Sequence, residues 1–216
     1  MKHTTISSLN DAVGGLSAPS KMPCPSWSIS AHLCNVGSKL ASVPDSICSG
    51  CYAKNGAYNW RGTVAALDRR MAAYKASPAD WTEYMSQLIK RKGLKHFRWF
   101  DSGDLVSGMM LGCIAEIARR VPNCSFWLPT KEFTVVSEWI KAGNTIPKNL
   151  TIRLSAYMRD EPAPITAALK GLPSSTVTDK APPIGQECPS NRQGNKCLDC
   201  RACWDKSVPV VSYNWH

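Results

Sequence analysis

From residue 63 onward, apolar side chains recur at three- and four-residue steps. In TVAALDRRMAAYKA (63–76), Val64, Leu67, Met71 and Tyr74 fall on one face of a helix. A second helix follows SPAD, where Ser77 is placed to cap and Pro78 suits the first turn. Trp81, Tyr84, Met85, Leu88 and Ile89 form its stripe, and Gly93 stops it. The pattern then shortens to alternation: HFRWFDSGDL (96–105) starts as a strand and ends in a small, polar loop. Helical spacing returns over 106–121 through Val106, Met109, Met110, Cys113, Ile114 and Ile117. CSFWLPT (124–130) reads as a strand, FTVVSEWIKAG (133–143) as a helix and LTIRLSAYM (150–158) as the strongest strand. PITAALKG (164–171) reads as a short helix and SSTVTD (174–179) as a weak last strand.

Strands and helices that alternate in this way require crossovers, and crossovers of this kind make the sheet parallel. The expected fold is α/β: a partial, open β/α barrel, because a closed eight-unit barrel needs about 250 residues and the chain has 216. Residues 1–20 and 179–196 are rich in Gly, Ser, Pro, Asn and Gln and lack periodicity. The expectation is a single domain over 1–216, with an irregular N-terminal cysteine arm (1–62), a β/α core (63–179) and an irregular C-terminal cysteine arm (180–216). In parallel sheets ligands sit off the carboxyl ends of the strands. Those ends carry Asp101 and Asp104, then Lys131, and Arg153 on the strand at 150–158, and these four are the expected cofactor-binding residues. Alternation along that strand can also turn Arg153 away from the site.

A hydrophobic content of 44% with 19% charged residues is that of a globular chain. No apolar run is long enough to span a membrane, and the first residues lack the apolar core of a secretory signal, so a cytoplasmic location is expected. The net charge of +10 leaves nucleic acid open as a partner, but the basic residues are scattered. KRKGLKHFR (90–98) is the one dense run, and at a helix end such residues complement the helix dipole.

The cysteines change the picture most. Eight of the ten fall in two groups, Cys24, Cys34, Cys48 and Cys51, then Cys188, Cys197, Cys200 and Cys203. In a reducing compartment such groups point to metal or redox chemistry rather than to disulfides. Cys197, Cys200 and Cys203 form a C-x2-C-x2-C run, the spacing that bacterial ferredoxins use for a cubane cluster. Cys48 and Cys51 form a C-x2-C pair, which together with Cys200 and Cys203 would also suit zinc. Thiolates without a carboxylate cluster favour iron–sulfur or zinc over hard cations. Cys24 lies in a Pro-rich approach and is the least certain ligand of its group; His32 is a loop histidine that reads as solvated. Cys113 and Cys124 sit in apolar patterns and read as packing residues.

SWSISAHLC, CSGCYAKNGAY, FRWFDSGDL, FWLPTKEF, LTIRLSAYM and QGNKCLDCRACW occur in an order that resembles the phage gene product 88 family, over roughly residues 20–216. The resemblance implies a phage-encoded cytoplasmic protein of an infected bacterial host. It also implies Cys34, Cys48, Cys51, Cys188, Cys197, Cys200 and Cys203 as the shared, metal-binding cysteines. The parallel core and the N-terminal C-x2-C also resemble a shortened radical-SAM barrel, although thirteen residues separate Cys34 from Cys48 where that motif has three. The expected function is therefore an iron–sulfur protein with one [4Fe-4S] cluster at the carboxyl-end face. Cysteines from both arms would hold it, with thiols enough for a second cluster. Electron transfer or redox chemistry on a small molecule would be its work, with a redox partner or a small-molecule substrate. The rival is a zinc-stabilised module that binds nucleic acid or a host protein; a radical-SAM-like enzyme using S-adenosylmethionine stands third.

Overall fold

The computed structural model describes residues 3–215. Thirteen helices and strands follow in the order α1 (Ile6–Ala12), β1 (Ser26–Trp27), α2 (Asn35–Leu40), α3 (Arg61–Ala76), α4 (Pro78–Arg91), β2 (His96–Trp99), α5 (Gly108–Arg120), β3 (Ser125–Thr130), α6 (Phe133–Lys141), β4 (Leu150–Ser155), β5 (Ser174–Thr178), β6 (Gln186–Glu187) and β7 (Val210–Asn214). The strands form one parallel sheet that does not close, in the order β1-β2-β3-β4-β5-β7-β6. The local signals read from the chain are realised at the atomic level. Ser77 caps α4 by accepting the Asp80 N–H, Pro78 opens the helix, and Gly93 takes the left-handed backbone (φ +62°) just past its end.

Period-two alternation gives the sheet two different faces. Trp27, Phe97, Trp99, Phe126, Leu128, Leu150, Ile152 and Leu154 point to the helix side, where they join Trp81, Met85, Leu88 and Ile114 in the main core. The residues between them, Ser26, Arg98, Trp127, Thr151 and Arg153, point the other way. That second face is covered by the C-terminal arm: Trp127 packs with Cys203, Trp204 and Val211. The Trp204 indole N–H donates to the Phe97 carbonyl at 2.9 Å, and the Thr151 hydroxyl donates to the Trp204 carbonyl at 2.7 Å.

Several expectations need correction. The N-terminal arm is not irregular, because residues 6–12 form α1. A reciprocal Thr5–Ser8 capping box starts that helix, and Leu9 and Val13 are fully buried against the core. The C-terminal arm is not irregular either. Its Val210–Asn214 segment pairs with β5 along five residues, so 174–178 is an interior strand and not the last one. The sheet thus takes strands from both arms. The expected helix at 164–171 is a single tight turn, Ala167–Leu169; Leu169 alone of that turn is buried, too little apolar surface to fix a longer helix.

Candidate functional site

The sheet's carboxyl-end rim gathers one set of thiols. Cys34 holds the N-cap position of α2 after a tight turn at Ala31–Leu33, without a side-chain capping bond, and the N–H of Val36, two residues on, donates to the buried Glu132 carboxylate at 2.8 Å. Cys48 and Cys51 lie on a loop fastened by the Ile47 N–H to the Tyr157 carbonyl at 2.9 Å. Two glycines leave the space that the thiols use. A Cβ on Gly37 would lie 3.5 Å from Cys48 Sγ and 3.8 Å from Cys34 Sγ. A Cβ on Gly50, inside the C-x2-C loop, would lie 2.7 Å from the Trp215 ring, so only glycine lets that indole close over the loop. The Arg159 guanidinium stacks on the same indole at 4.8 Å.

Burial pushes the Cys34 thiol up to about 12, with the negative charge of Asp104 and of the neighbouring Cys51, Cys48 and Glu132 adding to it. Burial raises Cys48 as well, against the nearby Lys131 charge. Asp104 is 8% exposed and its oxygens accept the Leu105 N–H at 2.7 Å and the Lys131 N–H at 2.8 Å. Burial raises its carboxyl to about 6 in spite of those bonds. The Lys131 backbone is held on its other side too, since its carbonyl accepts the Tyr157 hydroxyl at 3.0 Å.

The other two expected site residues do different work. Asp101 faces the arm side, where it accepts the hydroxyls of Ser26, Ser28 and Tyr58. Burial would raise its pKa, but these bonds and the Arg98 charge hold it below the ordinary carboxylate range. Arg153 is turned away from the rim, fully buried, and its guanidinium donates to four carbonyls: Ser174 at 2.8 Å, Val208 at 3.1 Å, and Ala202 and Asp205 at 2.9 Å. It ties down the arm and is not a group that faces a cofactor at the rim.

The second thiol set lies on the arm side of the sheet. Cys188 is anchored by its N–H on the Ser212 carbonyl at 2.7 Å, Cys197 on the Lys21 carbonyl at 3.0 Å, and Cys200 on the Cys197 carbonyl at 2.9 Å. Cys203 Sγ is 3.1 Å from the Tyr213 hydroxyl. Cys24, grouped by sequence with the rim thiols, belongs here: it packs with Cys188, Cys200, Cys203, Met22 and Trp127. Burial pushes Cys24 up to about 12 and Cys203 up to about 11, and the Arg98 charge opposes both. Cys34, Cys48 and Cys51 thus stand apart from the C-terminal thiols, which Cys24 alone of the N-terminal arm joins, and this corrects the expectation of one rim cluster held by both cysteine groups. Among the described residues, no three His, Cys, Asp or Glu side chains are drawn close enough to hold a metal ion as they stand. The donor sets nonetheless fit a soft metal, being thiols with neighbouring N–H and O–H donors, and at the rim a space that a single Cβ would fill. Cys113 and Cys124 pack in or against the main core, and His32 is exposed.

A family model described as gene product 88 matches residues 2–206. The chain belongs to the gene product 88 family. No curated protein and no solved structure gives a significant match. All ten cysteines fall inside the gene product 88 match, whereas Tyr213 and Trp215, which touch the two thiol sets, lie beyond it. Among the described residues, no helix is long and apolar enough to cross a membrane.

Sequence reasoning missed Arg98, Trp127 and Tyr213. The signal was present for Arg98, a charged residue inside the otherwise apolar HFRWF. For Tyr213 it lay in the β-branched run before it, which reads as a strand once the arm is granted any order.

Proposed function

We propose that this member of the gene product 88 family is a phage-encoded iron–sulfur protein of the infected host's cytoplasm, performing electron transfer or redox chemistry on a small molecule at the sheet's carboxyl-end rim. One observation carries the reading: Cys34 and the Cys48/Cys51 loop are brought by separate segments to one place, beside Asp104 and the Lys131 charge. Three thiolates leave one iron of a [4Fe-4S] cluster without a protein ligand, which is where a substrate can approach. When bound, such a cluster supplies single electrons. Lys131 offsets its negative charge, and Asp104, with its carboxyl near 6, can hold or release a proton beside it. An open parallel sheet of nearly sequential strand order supports a radical-SAM-like curl, and S-adenosylmethionine would then be the ligand at the open iron.

Protein reconstituted with iron and sulfide without oxygen is expected to be brown, with broad absorption near ~400 nm from sulfur-to-iron charge transfer. Cys48→Ser and Cys51→Ser are expected to lower its iron content and Cys113→Ala to leave it unchanged. A colourless protein that holds stoichiometric zinc after the same treatment would overturn the reading.

That outcome would favour the second reading, a zinc-stabilised binding module. Its supporting observation is a groove of about 510 Å³ at the opposite end of the sheet, lined by Lys90, Lys95, Arg119 and Arg120. Glu83 and Glu116 already pair with the two arginines. An anionic partner would thus rest mainly on the lysines, and its binding should weaken steeply with salt.

A further inference from the structure

The arm side of the sheet contains donors that the fold itself does not use. Arg98 and Trp127 are register partners on β2 and β3, and the guanidinium lies over the indole at 4.5 Å. Arg98 Nε and Trp127 Nε1 are both buried, and neither has a hydrogen-bond partner. Leaving such an N–H dry costs about 1–3 kcal/mol unless something accepts from it. Trp127 is 4% exposed and packs in the cluster that contains Cys24 and Cys203, with Cys188 and Cys200 against it. The Arg98 charge acts on Cys24, Cys197 and Cys203. On the far side the Tyr213 hydroxyl reaches Cys203 Sγ at 3.1 Å. The five thiols thus lie about a positive charge shared with Asp101, two N–H donors without a partner, and a hydroxyl at Cys203. A neutral thiol needs none of these, being a weak acceptor. A set of thiolates on a metal carries negative charge and many lone pairs, and it would take all of them.

We infer that Cys24, with Cys188, Cys197, Cys200 and Cys203, forms a second metal centre, separate from the rim, whose negative sulfurs are held by Arg98, Trp127 and Tyr213. The inference rests on the iron–sulfur reading above for its metal, and it adds the fifth thiol, the separateness of the centre and the residues around it. Four of the five thiols would bind at once, each losing its proton to solvent, and Cys24 is one of them. Trp127 is a positioning and charge-balancing residue here, because its indole donates to sulfur and does not bind metal.

The test uses the full chain reconstituted anaerobically with iron and sulfide. Metal content, the visible spectrum and the reduction potential are read together, and thermal unfolding checks that each variant folds. A variant with Cys34, Cys48 and Cys51 all replaced by Ser is expected to keep about half of the wild-type iron. Adding Cys24→Ser to it is expected to remove at least half of what remains. Trp127→Phe, which keeps an aromatic ring and deletes the N–H, is expected to retain iron but to shift the potential of the remaining centre to a more negative value. If the wild type binds iron and the rim variant binds none, there is no second centre and this inference falls while the rim reading stands. Full iron retention in the variant carrying Cys24→Ser would remove Cys24, and an unmoved potential in Trp127→Phe would remove the indole. If the wild type itself binds no iron, the iron–sulfur reading fails and takes this inference with it.

Discussion

The two thiol sets differ in how their surroundings are built. At the rim, Cys34, Cys48 and Cys51 stand at the N-cap of α2 and on the loop beyond it, fastened to the carboxyl end of the sheet by backbone bonds and flanked by the ionisable Asp104, Glu132 and Lys131. On the arm side, Cys24, Cys188, Cys197, Cys200 and Cys203 are pressed against two tryptophans, and their segment is tied to the sheet by the Arg153 guanidinium. The first arrangement sets ionisable side chains beside its thiols, whereas the second sets its thiols mainly among aromatic and apolar ones. Spacing in the sequence makes the sets look alike, since each contains a C-x2-C pair. Their difference comes from what the topology places around them.

The most severe way to break the comparison is Arg153→Met. Four carbonyls lose this donor, the bonds to Ser174 and Ala202 being buried and those to Val208 and Asp205 part-buried, and at about 1–3 kcal/mol for each buried bond the loss is on the order of 4 kcal/mol. The arm is expected to come away while the rim persists. Hydrogen exchange would show residues 188–208 opening ahead of the loop at 46–51. Simultaneous opening of both would mean that the two regions form one cooperative unit.

A smaller effect is carried by Asp104. Its folded pKa, about 6, lies above the ordinary carboxylate value of 3.8. The group therefore favours folding fully below pH 3.8, and that contribution is lost as the pH rises to about 6. The span corresponds to roughly 3 kcal/mol. Asp104→Asn removes this dependence, so the difference in unfolding free energy between wild type and variant should change across that window in chemical denaturation. A pH-independent difference would mean that Asp104 stays charged in the fold. Its proton could then play no part at the rim, and the contrast between the two sets would lose its chemical half.

Gly37→Ala sharpens the comparison with the least disturbance. Alanine is the better helix former by up to about 1 kcal/mol, while the added Cβ meets Cys34 Cβ at 3.1 Å and Cys48 Sγ at 3.5 Å. The melting temperature is expected to move little, and the rim is expected to lose metal with the arm side unaffected. Metal content compared with that of wild type and of the variant lacking Cys34, Cys48 and Cys51 checks this, the expected loss being the rim's share alone.

The helices from 61 to 141 and the strands β2 to β5 were legible because each carries enough apolar residues to declare its period. Ser77, Pro78 and Gly93 show the local chemistry matching the outcome residue by residue. α1 was not legible because a seven-residue helix with one fully buried residue, Leu9, has no stripe to detect. β1 and β6 are two residues each, set by their neighbours rather than by their own composition. For the site, spacing sorted the thiols into groups but did not show which of them meet. Cys24 is near Cys34 in sequence, yet β1 runs between them and carries the chain from the arm side to the rim.

The contact between Gly50 and Trp215 sets an order of events during synthesis. A ribosome makes the C-x2-C loop early, and the indole that closes over it emerges more than 160 residues later, after β7. Until then the loop lacks its cover. On the function proposed above, metal would enter the rim of a nascent chain before the indole reaches Gly50. A chain cut short at residue 206 would keep every cysteine and still lack the residue that closes the loop.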